Sequence, residues 1–87
     1  MAKDRLKGQI DEKILNTRKI FLWGQVDDES ARHVIERLLY LELDAPDKEI
    51  QLIINSPGGY VTSGFAIYDT IKSITSPVST ICAGLAA

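Results

Sequence analysis

Apolar residues in this 87-residue chain fall into runs of two different periods. "KIFLWG" (residues 19–24) and "IQLIIN" (residues 50–55) are short and apolar at nearly every position, and "VSTICA" (residues 78–83) is β-branched and apolar. Such runs predict strands, and the second, apolar at nearly every position, suits a strand covered on both faces. Between them the period lengthens. Ala31, Val34, Ile35, Leu38 and Leu39 recur at i, i+3, i+4, i+7 and i+8, which places them on one face of a helix. That helix is predicted over residues 28–43, with Asp27, Asp28 and Glu29 complementing its N-terminal dipole and Pro46 stopping it. Val61, Phe65, Tyr68, Ile71 and Ile74 predict a second helix, closed by Ser76 and Pro77.

Residues 1–18 show no lasting period and mix charges with scattered Leu and Ile, so they read as a mobile arm or as a weak helix whose partner lies elsewhere. From residue 19 the order is strand, helix, strand, helix, strand. This predicts an α/β domain over residues 19–87, a βαβαβ unit with parallel strands, right-handed crossovers and helices packed on the sheet. Three strands and two helices leave apolar sheet surface and an edge without cover. The domain is therefore expected to be incomplete at its C-terminus, or to be completed by other chains.

Composition changes this picture little. The chain is 45% hydrophobic and 25% charged, with a net charge of −2, which calls for neither nucleic acid nor an anionic membrane as a partner. No apolar run approaches the roughly 18–20 residues of a membrane helix, and "MAKDRLKGQIDEKIL" lacks the apolar core of a secretory signal. Cys82 is the only cysteine, so no internal disulfide forms; the expected compartment is cytoplasmic. No His, Cys or carboxylate cluster has ligand spacing, and no metal is expected.

The candidate chemistry lies in "INSPGGYVTSG", residues 54–64, at a predicted strand end leading into a helix. Ligands of parallel sheets gather beyond the carboxyl ends of the strands. Gly58 and Gly59 permit positive φ and leave N–H groups open to approach, which suits a developing negative oxygen or a phosphate. A phosphate cradle is the poorer match, because no lysine follows until Lys72 and no Gly-x-Gly-x-x-Gly is present. A tight strand-to-helix turn with no ligand is the third reading.

Over roughly residues 14–87 the chain resembles the proteolytic subunits of the ATP-dependent Clp protease family. The resemblance is carried by "RKIFLWGQVDDES", "RLLYLE", "DKEIQLIINSPGGYVTSGFAIYDT" and "VSTICAGLAA". It implies a crotonase-like fold and a serine-type endopeptidase whose subunits form two stacked seven-membered rings. It also implies an AAA+ unfoldase partner that consumes ATP and feeds in unfolded polypeptide, so that no cofactor belongs to the chain itself. By the same resemblance Gly59 supplies an oxyanion-hole N–H. Gly58, Gly59, Tyr60 and Val61 form an extended segment that lines the substrate cleft and pairs with peptide as an added strand.

No catalytic residue is expected within the chain. The resemblance puts the nucleophilic serine immediately after Ala87 and the histidine and aspartate further on, so the 87 residues alone are expected to be inactive. Residues 1–18 correspond to the family's axial gating region; the first 13 depart from its usual pattern. His33 reads as a surface or boundary histidine, Ser56 and Ser63 as turn and cap residues, and Cys82 as a small apolar strand residue. Ser63 and Lys72 lie more than two helical turns apart, too far to act as a dyad. Two other functions remain: a non-catalytic, ring-forming subunit, and an acyl-CoA enzyme of the crotonase-like fold.

Overall fold

The structure is a computed structural model that describes residues 2–87. Three helices and three strands alternate: α1 (Ala2–Asn16), β1 (Lys19–Trp23), α2 (Asp28–Asp44), β2 (Ile50–Ser56), α3 (Val61–Ser73) and β3 (Val78–Ala86). The strands form one parallel sheet in the order β1-β2-β3, with Ile20 opposite Leu52 and Leu52 opposite Thr80. The expected α/β architecture with its parallel strands is present, one helix richer at the N-terminus.

Alternation along the strands sets the core. Ile20 and Leu22 of β1 and Ile50 and Leu52 of β2 point to the face that carries the helices, where they meet Ala31, Val34, Leu38 and Leu41 of α2 and Ile67 of α3. The helical stripe differs from the expected one by a small rotation. Leu39 is exposed and Leu41 is buried, because the inward row runs 31, 34, 38, 41 at the 3.6-residue period and leaves residue 39 on the flank.

Helix α3 departs further. Its buried residues are Ser63 and Ile67, with Ile71 and Ile74 packed against the core, while Val61, Phe65 and Tyr68 face outward. The apolar residues of this helix lie on two sides. The expected row took Val61, Phe65 and Tyr68 from the outer side and Ile71 and Ile74 from the inner one, and the inward row of the structure is Ser63, Ile67, Ile71 and Ile74. Strand β2 is likewise covered by helices on one face only; Phe21, Trp23 and Ile81 are exposed on the opposite face and Ile53 there is half-buried.

Caps and one arginine fix the connections. Asp27 caps α2: its carboxylate accepts the Ser30 N–H at 2.9 Å, and the Ser30 hydroxyl receives the Asp27 N–H in return. Arg18, whose φ is +62°, turns its side chain beneath the far end of that helix. Its guanidinium donates to the carbonyls of Leu41, Ala45, Lys48 and Glu49 and to the Ser76 hydroxyl, at 2.9–3.3 Å. One side chain thereby joins the last turn of α2, through the Leu41 carbonyl, to the turn that follows it and to the loop before β3. Glu42 holds the same loop, accepting the Thr75 and Ser76 N–H groups and the Thr75 hydroxyl.

Helix α1 has no buried residue, and only Ile14 and Leu15 at its end are half-buried. Among the described residues no helix is long and apolar enough to cross a membrane.

Candidate functional site

The carboxyl ends of β1 and β2 converge on the glycine turn. Val26, just beyond β1, and Gly59, just beyond β2, form an isolated parallel bridge. The Val26 N–H donates to the Gly58 carbonyl at 2.9 Å, and the Val26 carbonyl accepts the Tyr60 N–H at 2.8 Å. Strand geometry then dictates where Gly59 aims its own groups. Its two neighbours use the side facing Val26, so the Gly59 N–H and C=O are turned to the other side. Among the described residues neither makes a hydrogen bond. An unengaged N–H and C=O on one residue is the pattern an added strand or an anionic oxygen can use.

The approach to Val26 also explains why residue 59 is glycine. A Cβ there would lie 2.1 Å from the Val26 carbonyl oxygen and 2.8 Å from its backbone nitrogen, and φ is +157°. No side chain fits between two backbones at that distance. Pro57 removes one N–H from the turn, and the Gly58 N–H donates to the buried Ser56 hydroxyl at 3.1 Å. Ser56 is therefore a structural residue of the turn. Tyr60 is extended, with φ −71° and ψ 128°, and Val61 begins α3. The extended segment expected over Gly58–Val61 thus ends at Tyr60; Val61 stands beside it on the first helical turn, exposed.

Strand β3 brings the last residues to the same place. It runs to Ala86, past the expected end at residue 83, through an irregularity opposite Ile54–Ser56. At that irregularity the Asn55 side-chain oxygen accepts the Leu85 N–H at 3.2 Å and would lie 2.9 Å from a Cβ on Gly84. The Ala87 N–H then reaches the Ser56 carbonyl at 3.2 Å. A Cβ on Gly58 would lie 3.8 Å from the Ala87 side chain and 3.9 Å from its carbonyl oxygen. Gly58 and Ala87, 29 positions apart in sequence, are neighbours in space.

The remaining candidates stay apart from this turn. Ser63 is buried and donates to Asp28 at 3.0 Å, linking the first turns of α3 and α2. Lys72 sits over the Tyr68 ring, 5.5 Å from its centre, at the other end of α3. Cys82 is exposed on β3. His33 lies on the exposed side of α2, where partial burial and the neighbouring Arg37 hold its pKa below the ordinary histidine value, against the opposing pull of Asp11 and Glu36. Among the described residues no three His, Cys, Asp or Glu side chains gather as metal ligands. Sequence reasoning missed Asn55 and Arg18, which shape the site and its frame. The only sequence signal for Asn55 was a polar residue ending an apolar strand.

Fold and turn together define the class: a parallel α/β protein that presents an unengaged backbone amide at the carboxyl ends of its strands. The sequence model of the Clp protease family matches residues 2–87, and the chain belongs to that family. It is 53% identical over 83 residues to the ATP-dependent Clp protease proteolytic subunit 1 of Protochlamydia amoebophila, covering 95% of this chain and 40% of that protein. To the subunit 1 of Chlamydia caviae it is 50% identical over 84 residues, covering 97% of this chain and 44% of the relative. The chain thus spans about two fifths of the length of these curated relatives. The match begins at residue 2, so it takes in most of the first 13 residues, which depart from the family's usual pattern.

Proposed function

We propose that this chain supplies the oxyanion turn and the substrate edge of a serine-type endopeptidase subunit, with the nucleophile in the residue that follows Ala87. The observation that carries the reading is Gly59: its N–H and C=O are unengaged, turned away from Val26, in a turn that lies against Ala87. A peptide entering as an added strand would pair with that edge, Gly58 to Tyr60 forming its floor and Val61 its flank. Its scissile carbonyl would develop negative charge within reach of the Gly59 N–H. One such donor is worth about 10²–10³ in kcat.

Unfolded polypeptide is the substrate this edge suits, because backbone pairing asks for an extended chain and little else of its sequence. The subunit works in stacked rings of like subunits with an AAA+ unfoldase, which uses the ATP; the chain itself takes no cofactor or metal, and the complex is cytoplasmic. Support comes from membership of the Clp protease family and from the names of the two relatives, both ATP-dependent Clp protease proteolytic subunits.

The test uses the full-length protein in its native assembly with a fluorogenic peptide and a fluorophosphonate that tags activated serines. The expected result is cleavage, with the tag on the residue after Ala87. Ser63→Ala should keep both, since its hydroxyl serves Asp28. Assembly without cleavage or tagging would instead assign a non-catalytic, ring-forming subunit.

A further inference from the structure

We propose that the hollow beside Trp23 binds the cationic side chain of a peptide, an arginine guanidinium or a lysine ammonium. This hollow, of about 450 Å³, lies at the β1 edge of the sheet, between the Phe21 and Trp23 side chains and the first turns of α2, and is independent of the glycine turn's assigned role. Phe21 and Trp23 form one wall, edge to face with ring centres 6.1 Å apart, and Trp23 is 58% exposed. Asp27 and Glu29 line it as well, with His33 at the α2 side, and no lysine or arginine does.

The carboxylates are available for a ligand. Asp27 spends one oxygen on the Ser30 N–H, and the hydrogen bonds that cap α2 keep the group ionised. Among the described residues Glu29 has no hydrogen-bond or ion-pair partner; the one ion pair joins Arg32 and Glu36 further along the helix. An anion would be repelled here. A wholly apolar occupant would cover two carboxylates without pairing them, which is costly. Arginine and lysine meet both demands: the apolar stem lies along the rings and the charged head reaches the carboxylates, with a cation–π contribution from the indole.

Anisotropy of a fluorescein-labelled Gly-Gly-Arg-Gly peptide, titrated with the full-length protein in its native assembly, tests this. The counterpart with citrulline in place of arginine keeps the shape and loses the charge. Saturable binding is expected for the arginine peptide, weaker by about fivefold or more for citrulline, and weakened about 3–10-fold by Trp23→Leu and by Glu29→Gln separately. Both positions are exposed, so each variant should retain the parent's circular dichroism and assembly. Equal binding of the two peptides, no binding of either, or unchanged binding in the two folded variants would overturn the proposal.

Discussion

Replacing Gly59 with alanine places a methyl group where the Val26 backbone already lies, 2.1 Å from its carbonyl oxygen. Neither partner can yield cheaply, since both atoms belong to main chain held by the strands on either side. Relief requires Val26 and residue 59 to separate, which breaks the Val26 N–H to Gly58 bond and the Tyr60 N–H to Val26 bond. Each contributes about 1 kcal/mol net. Forcing a non-glycine residue into this backbone region adds about 1–3 kcal/mol. Together the loss is about 3–5 kcal/mol, a large share of the roughly 5–15 kcal/mol that stabilises a domain.

The loss is local before it is global, so amide hydrogen exchange in the full-length protein is the suitable assay. The Tyr60 and Val26 amides should lose protection by a factor on the order of 10² or more, given tenfold per 1.4 kcal/mol. Urea unfolding should shift to lower midpoint. Gly64→Ala is the control: it lies within α3, has nothing within 4 Å of the added Cβ, and should stabilise by about 0.5–1 kcal/mol through helix propensity. Tyr60 and Val26 protection equal in the two variants would refute the reading of residue 59 as a backbone contact.

Arg18→Met keeps the apolar stem and removes the guanidinium, leaving the carbonyls of Leu41, Ala45, Lys48 and Glu49 without this donor; a loss of about 2–4 kcal/mol is expected in urea titrations. The Thr75 hydroxyl and the Ser76 and Thr75 N–H groups hold the Glu42 carboxyl below the ordinary glutamate pKa, so its contribution is complete above that ordinary value and disappears as pH falls through the lowered one. Glu42→Gln should therefore melt below the parent at neutral pH and converge with it in acid, a trend that thermal melts across pH will show.

Residue patterning made the βαβαβ order legible because strands and helices impose different periods, and "KIFLWG" and "IQLIIN" carry no helical period at all. The strand-end glycines were legible too, since few other residues tolerate that turn. What patterning misjudged depends on neighbours. Leu39 and Leu41 are equally apolar, and only the angle at which α2 meets the sheet buries the second. Val61, Phe65 and Tyr68 make a plausible inward row, yet α3 turns Ser63 and Ile67 inward, and a serine is accepted there because Asp28 receives its hydroxyl. Residues 1–18, left open between arm and helix, are helical over Ala2–Asn16 with almost no core to rest on.

By itself, then, the sequence determined the element order, the parallel α/β class, the family and the glycine turn, all of which depend on residue types at short, regular spacing. The tertiary structure decided which edge of Gly59 is occupied. Val26 takes one side through two hydrogen bonds, and the opposite N–H and C=O have no partner among the described residues. It also decided that Ala87 lies against Gly58, where the end of β3 is held by the Leu85 N–H on the Asn55 side chain and the Ala87 N–H on the Ser56 carbonyl. Those are pairings between strands whose partners lie tens of residues apart, and no local period encodes them.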